Sequence, residues 1–104
     1  MSRHKIEFTR RARAQIRNLF SYIAQDSPAA AQKTLDSIDA RIQRLADAPE
    51  LGVELSEAEY PFLEPGYRKL LARPFLVYYR IAAGTVYITH VVHERQNQRS
   101  ALKS

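Results

Sequence analysis

The chain has 104 residues and a mass of 12.0 kDa, which is one domain with no room for a second. Its 45% hydrophobic and 26% charged residues argue against disorder, and the absence of cysteine excludes disulfides, thiolate metal sites and cysteine nucleophiles and fits a reducing compartment. A net charge of +5 and a pI near 9.8 suit an anionic partner, with a solvated basic surface as the alternative.

Met1 to Arg10 contains no apolar h-region, and no apolar run reaches the ~18 residues of a membrane span, so a cytoplasmic protein away from membranes is expected. Ile6 and Phe8 alternate with Lys5 and Glu7, a short half-buried strand. Thr9 then stands at a helix N-cap. Ala12, Ile16, Leu19, Phe20 and Ile23 follow at helical spacing and predict a helix over about residues 10–25. Ser27 and Pro28 read as the N-cap and first position of a second helix. Its seam of Ala31, Leu35, Ile38, Ile42 and Leu45 runs to about Ala46 and stops before Ala48-Pro49. A turn this short makes the pair an antiparallel αα-hairpin.

Residues 49–66 sustain no period and read as a long surface loop. Six acids and no basic residue fall in 46–65, whereas 66–104 hold seven basic residues and one acid. Strands are predicted from Tyr67 to Ala72, from Phe75 to Ile81 after an Arg73-Pro74 turn, and from Val86 to His93 after the hairpin connection 82–85. Val86, Ile88, His90 and Val92 are expected on one face of the last strand, and both faces are apolar. Residues 96–104 read as a flexible polar tail. The fold class is therefore α+β, in the order β-α-α-β-β-β, with the hairpin packed on a small antiparallel sheet joined by the N-terminal strand.

No metal ligand set can be assembled from His4, His90 and His93, and the last two point to opposite faces of a strand. No serine lies in a glycine-flanked elbow and no glycine-rich phosphate loop is present. No cofactor is implied. The constellation with chemical content is Arg68, Arg80, His93 and Arg95, with Arg73 nearby. A metal-free ribonuclease needs a base, an acid and cations around a phosphate, and histidine with arginines can supply them. The alternative is sheet-face arginines paired with carboxylates. Arg68 and Arg80 are expected near each other on the less buried face. Arg10, Arg11, Arg13 and Arg17 make a basic rim on the first helix, either solvated or a docking surface. Tyr78, Tyr79 and Tyr87 could stack on bases but read better as core.

The runs Tyr67-Arg68-Lys69-Leu70-Leu71, Tyr78-Tyr79-Arg80-Ile81 and Val91-Val92-His93-Glu94-Arg95-Gln96-Asn97 resemble the RelE/ParE toxin superfamily, and the final V-x-H-x-R-x-N resembles its ParE branch. Asp47-Ala48-Pro49-Glu50-Leu51-Gly52 is similar to that family's P-x-x-G after the hairpin. The resemblance covers about residues 5–97. It implies a type II toxin with a plasmid-stabilisation setting, bound by a cognate ParD-like antitoxin and acting on DNA gyrase. Together with Arg10, Arg13 and Arg17 of the basic helix rim, the residues it singles out, Arg68, Arg80, His93 and Arg95, make the expected target- or antitoxin-binding set. The alternative is a RelE-like, ribosome-dependent messenger RNA endonuclease in which Arg68, Arg80, His93 and Arg95 would be catalytic. The tail from Gln98 to Ser104 lacks a tyrosine and no dense lysine pair precedes Arg68, which favours the ParE branch.

Overall fold

A computed structural model describes residues 3–103. β1 (Lys5–Phe8) leads into α1 (Arg10–Ala24) and α2 (Pro28–Gln43), which a single 3₁₀ turn, Arg44–Ala46, extends. A two-residue strand, β2 (Val53–Glu54), then precedes β3 (Tyr67–Ala72), β4 (Phe75–Ala82), β5 (Thr85–His93) and a short α3 (Gln98–Leu102). The sheet order is β1-β5-β4-β3-β2.

Both helix starts follow from their caps. Thr9 Oγ1 accepts the Ala12 amide at 3.2 Å, and Ser27 Oγ accepts the Ala30 amide at 3.1 Å, with Pro28 opening α2. Each cap of this kind contributes about 1 kcal/mol. Thr9 also ties α1 to the sheet, because its amide donates to Ile88 O and its hydroxyl to Thr89 O. The predicted apolar seams meet the sheet: Ala12, Ile38, Ile42 and Leu45 are buried against Leu70, Phe75, Val77, Tyr79, Val86, Ile88 and Val91. Arg41 fixes α2 to β3 by donating from Nε and Nη2 to Leu71 O.

Four features depart from the sequence reading. The sheet is mixed, since β1 runs parallel to β5, with Ile6 beside Val86 and Phe8 beside Ile88. Alternating apolar residues carry the same signal in either direction, so the pattern of Ile6 and Phe8 could not fix it. The loop contains β2, paired antiparallel to β3; two residues have no period to detect. Thr89 is an extra residue in β5, because Tyr78 faces His90 while Tyr79 faces Ile88. This bulge moves His90 and Val92 off the face shared by Val86 and Ile88 and gives that face to Val91. Lastly, the expected flexible tail contains α3, capped by Asn97, with Leu102 only 3% exposed.

α3 and the loop cover the sheet face turned away from the hairpin. Leu76, Tyr78, Val92 and Leu102 form a second apolar cluster with Leu55, Tyr60, Phe62 and Leu63. The Arg99 guanidinium lies over the rings of Tyr60 and Phe62 and donates to Glu59 O, which binds helix and loop together. Among the described residues no helix is long and apolar enough to cross a membrane.

Candidate functional site

The candidate residues occupy four separate places. Directly opposed residues on neighbouring strands share a face. Arg68 opposes Tyr79, on the hairpin side, whereas Arg80 opposes Tyr67, on the other side. The expectation that the two arginines lie close together on one face is therefore corrected. One strand step separates the pairings, and one step reverses a side chain.

Arg68 binds the chain after α2. Its Nη1 donates to Gly52 O at 2.8 Å and to Glu50 O at 3.4 Å. Beside it, the fully buried Tyr79 donates its hydroxyl to Pro49 O at 2.7 Å and accepts the Gly52 amide at 2.8 Å. Burial raises the Tyr79 phenol above its ordinary value, against a lowering from the Gly52 hydrogen bond and Arg68. A Cβ on Gly52 would stand 2.7 Å from the Tyr79 hydroxyl and 2.8 Å from Lys69 O, so only glycine fits. The Pro49-x-x-Gly52 motif is thus the backbone half of a clamp whose other half is Tyr79 and Arg68.

Arg80 points to the opposite side. Its Nη1 meets Glu64 Oε2 at 2.8 Å, and its guanidinium lies 5.6 Å from the centre of the Tyr67 ring. His93 and Arg95 lie at the end of β5, against a largely apolar groove of about 780 Å³ between α1 and the β3–β4 turn, walled also by Tyr22 and Phe75. His93 Nδ1 accepts the Arg95 amide at 3.1 Å, so the neutral ring carries its proton on Nε2; the His93 and Phe75 rings meet edge to face. Arg10, Arg13 and Arg17 lie exposed on α1.

Sequence reasoning missed one polar site. His90 is 1% exposed, on the face turned from the hairpin. Thr89 Oγ1 donates to Tyr78 O at 3.2 Å, so its lone pairs face His90, whose Nδ1 donates to it at 2.9 Å. That tautomer leaves Nε2 to accept from Arg11 Nη1 at 3.1 Å. Burial first, then the Arg11 charge, lowers the His90 pKa from 6.5 to about 4, so the ring is neutral at physiological pH. Next to it, Tyr78 is raised to about 12 by burial and by Tyr60, and its hydroxyl donates to Gln98 Oε1. The sequence did hold a signal for this site: a histidine among Val86, Ile88 and Val92 in an apolar strand. Nothing in the spacing joined it to Arg11. Among the described residues no cluster of three metal-ligating side chains occurs.

The family model for the ParE toxin of the parDE type II toxin–antitoxin system matches residues 6–98. The chain belongs to the ParE toxin family. The fold is similar to that of a solved chain from the chromosomal ParDE system of P. aeruginosa, at 24% identity and a TM-score of 0.68, covering 86% of this chain and 95% of that one. No curated protein matches the chain. In this ParE family member the motif residues divide into two classes. Tyr79, Gly52 and Arg68 hold the fold, whereas His93 and Arg95 face an open groove.

Proposed function

We propose that this toxin acts by binding DNA gyrase and that a cognate ParD-like antitoxin neutralises it. Membership of the ParE family supports the reading, and the P. aeruginosa neighbour, named as a ParDE system, supports an antitoxin partner. The observation that carries the choice of binding over cleavage is the dispersal of the four candidate catalytic residues. Arg68 is held by the Gly52 and Glu50 carbonyls on the hairpin side, Arg80 lies on the opposite sheet face, and only His93 and Arg95 share a groove. General acid–base cleavage of a phosphodiester needs acid, base and cations within about 3 Å of the reacting atoms. Arg68 and Arg80, on opposite sheet faces, would both have to move to the groove of His93 and Arg95 to meet that requirement at one phosphate. The groove beside α1, with His93, Arg95 and the exposed Tyr22, is the surface assigned to the protein target. Arg10, Arg13 and Arg17 make the basic helix face available to an acidic antitoxin segment.

The test is expression of the chain alone and together with its cognate antitoxin. Growth arrest with a DNA-damage response, relieved by the antitoxin, is the expected result. Codon-specific cuts in ribosome-bound messenger RNA, lost in His93→Ala by about 10²–10⁴-fold, would replace this reading with the endonuclease.

A further inference from the structure

Tyr67, Arg80 and Tyr87 are successive cross-strand neighbours on β3, β4 and β5 and form one row on the sheet face away from the hairpin. Arg11 reaches the same place from the first turn of α1, where His90 holds its Nη1. These groups line an open pocket of about 440 Å³, with Glu64 also on its wall. Its charges are poorly matched. Arg80 is 34% exposed and its one carboxylate partner, Glu64, is 74% exposed, a pair of the weak surface kind. Arg80 Nε is shut from solvent and has no hydrogen-bond partner, which is costly for a charged donor. Arg11 donates to an uncharged imidazole, so that contact leaves its positive charge uncompensated. Two guanidinium groups from different elements, one of them the exposed Arg11, thus face one pocket with one loosely held carboxylate beside Arg80.

We propose that this cavity binds a phosphate monoester of nucleotide size, the phosphate on Arg80 and Arg11 and the base against the Tyr87 ring, with Glu64 as the internal carboxylate that the phosphate displaces. A tetrahedral anion has acceptors in several directions and can meet two guanidinium forks at once; the flat Glu64 carboxylate already reaches only one of them. Tyr87 is 39% exposed, a large aromatic face left open at the end of the row, and stacking on such a face tolerates any base. Glu7 lies one strand beyond Tyr87 and does not line the cavity. The site is separate from the groove that holds His93 and Arg95, and its test does not depend on toxicity.

Purified full-length chain is titrated with inorganic phosphate and with adenosine monophosphate at constant ionic strength, followed by amide chemical shifts. Both should bind saturably and shift Arg80, Tyr87 and Thr89, with the nucleotide tighter by at least about fivefold. Tyr87→Ala should remove that advantage and keep phosphate binding. Arg80→Gln should weaken both ligands at least about tenfold, the loss expected for one charge-assisted contact. Glu64→Gln, an exposed loop change with little bearing on folding, should tighten both. Absence of saturable binding overturns the proposal, as does binding indifferent to Arg80→Gln and Glu64→Gln. A glutamate-rich peptide that outcompetes the nucleotide for this cavity overturns it in favour of an acidic protein partner, and phosphate binding with no gain from the base overturns the nucleotide assignment.

Discussion

Acid should unfold this protein early, and His90 should be the reason. The ring is buried, and its pKa in the folded chain is about 4 against 6.5 for an unperturbed histidine. At pH 7 the folded chain holds it neutral and the unfolded chain mostly so, so it adds little pH dependence there. As the pH falls through 6.5 the unfolded chain takes up a proton that the folded chain refuses, and stability drops with it. The loss levels off below about pH 4, where the folded ring is protonated too. At about 1.4 kcal/mol for each pH unit, the full gap amounts to about 3 kcal/mol. A domain of this kind has about 5–15 kcal/mol in total, so the effect is large. His90→Gln supplies an uncharged comparison, because an amide can still donate to Thr89 and accept from Arg11. Urea denaturation of both proteins at intervals from pH 7.5 to 4 reads the difference. The variant should start less stable, but its stability should fall with acid less steeply than wild type, by up to about 1.4 kcal/mol for each pH unit. Every other titratable group is common to both proteins, so its contribution cancels in the difference. Parallel profiles would refute the reasoning, since they would mean that folding does not keep His90 neutral.

Three further outcomes follow from named contacts. Tyr79→Phe leaves the buried Gly52 amide without its acceptor and frees Pro49 O, and should cost about 1–3 kcal/mol in chemical denaturation; an unchanged midpoint contradicts the clamp. Ala83 has a φ of 48° ahead of Gly84 at 77° in the β4–β5 turn, a conformation that suits Asn-Gly. Ala83→Asn should therefore raise stability by about 0.5–1 kcal/mol, read as a higher melting temperature, and a lower one counts against the turn assignment. Arg68→Ala should lose stability and toxicity together, whereas Arg95→Ala should lose toxicity at unchanged melting temperature; the reverse pattern would exchange their roles.

The helical half was legible because its signals are local. Thr9, Ser27 and Pro28 mark the starts, and the seam from Ala31 to Leu45 marks the face. The meander was legible from its turns and alternation. What escaped depends on partners distant in sequence or on single-residue shifts. The direction of β1 is set by its place beside β5, and β2 exists only because Val53 pairs with Lys69. The Thr89 bulge decides which side His90 takes, and no residue type announces it. The separation of Arg68 from Arg80 was, by contrast, within reach. Counting back from the two-residue turn at Arg73-Pro74 pairs Ala72 with Phe75 and hence Arg68 with Tyr79, which already sends Arg80 to the other face. The family motif grouped residues by order along the chain, whereas the fold divides them between a structural clamp, the far sheet face where Arg80 meets Glu64, and an open groove.

The most direct test of the account is a supercoiling assay with purified gyrase, relaxed plasmid and the purified chain, run with and without the cognate antitoxin. Inhibition with accumulation of gyrase-cleaved DNA, reversed by antitoxin and weakened by Arg95→Ala but retained in a folded His90→Gln, is the predicted result. Undisturbed gyrase at concentrations that arrest growth, together with cleavage of ribosome-bound messenger RNA, would contradict it.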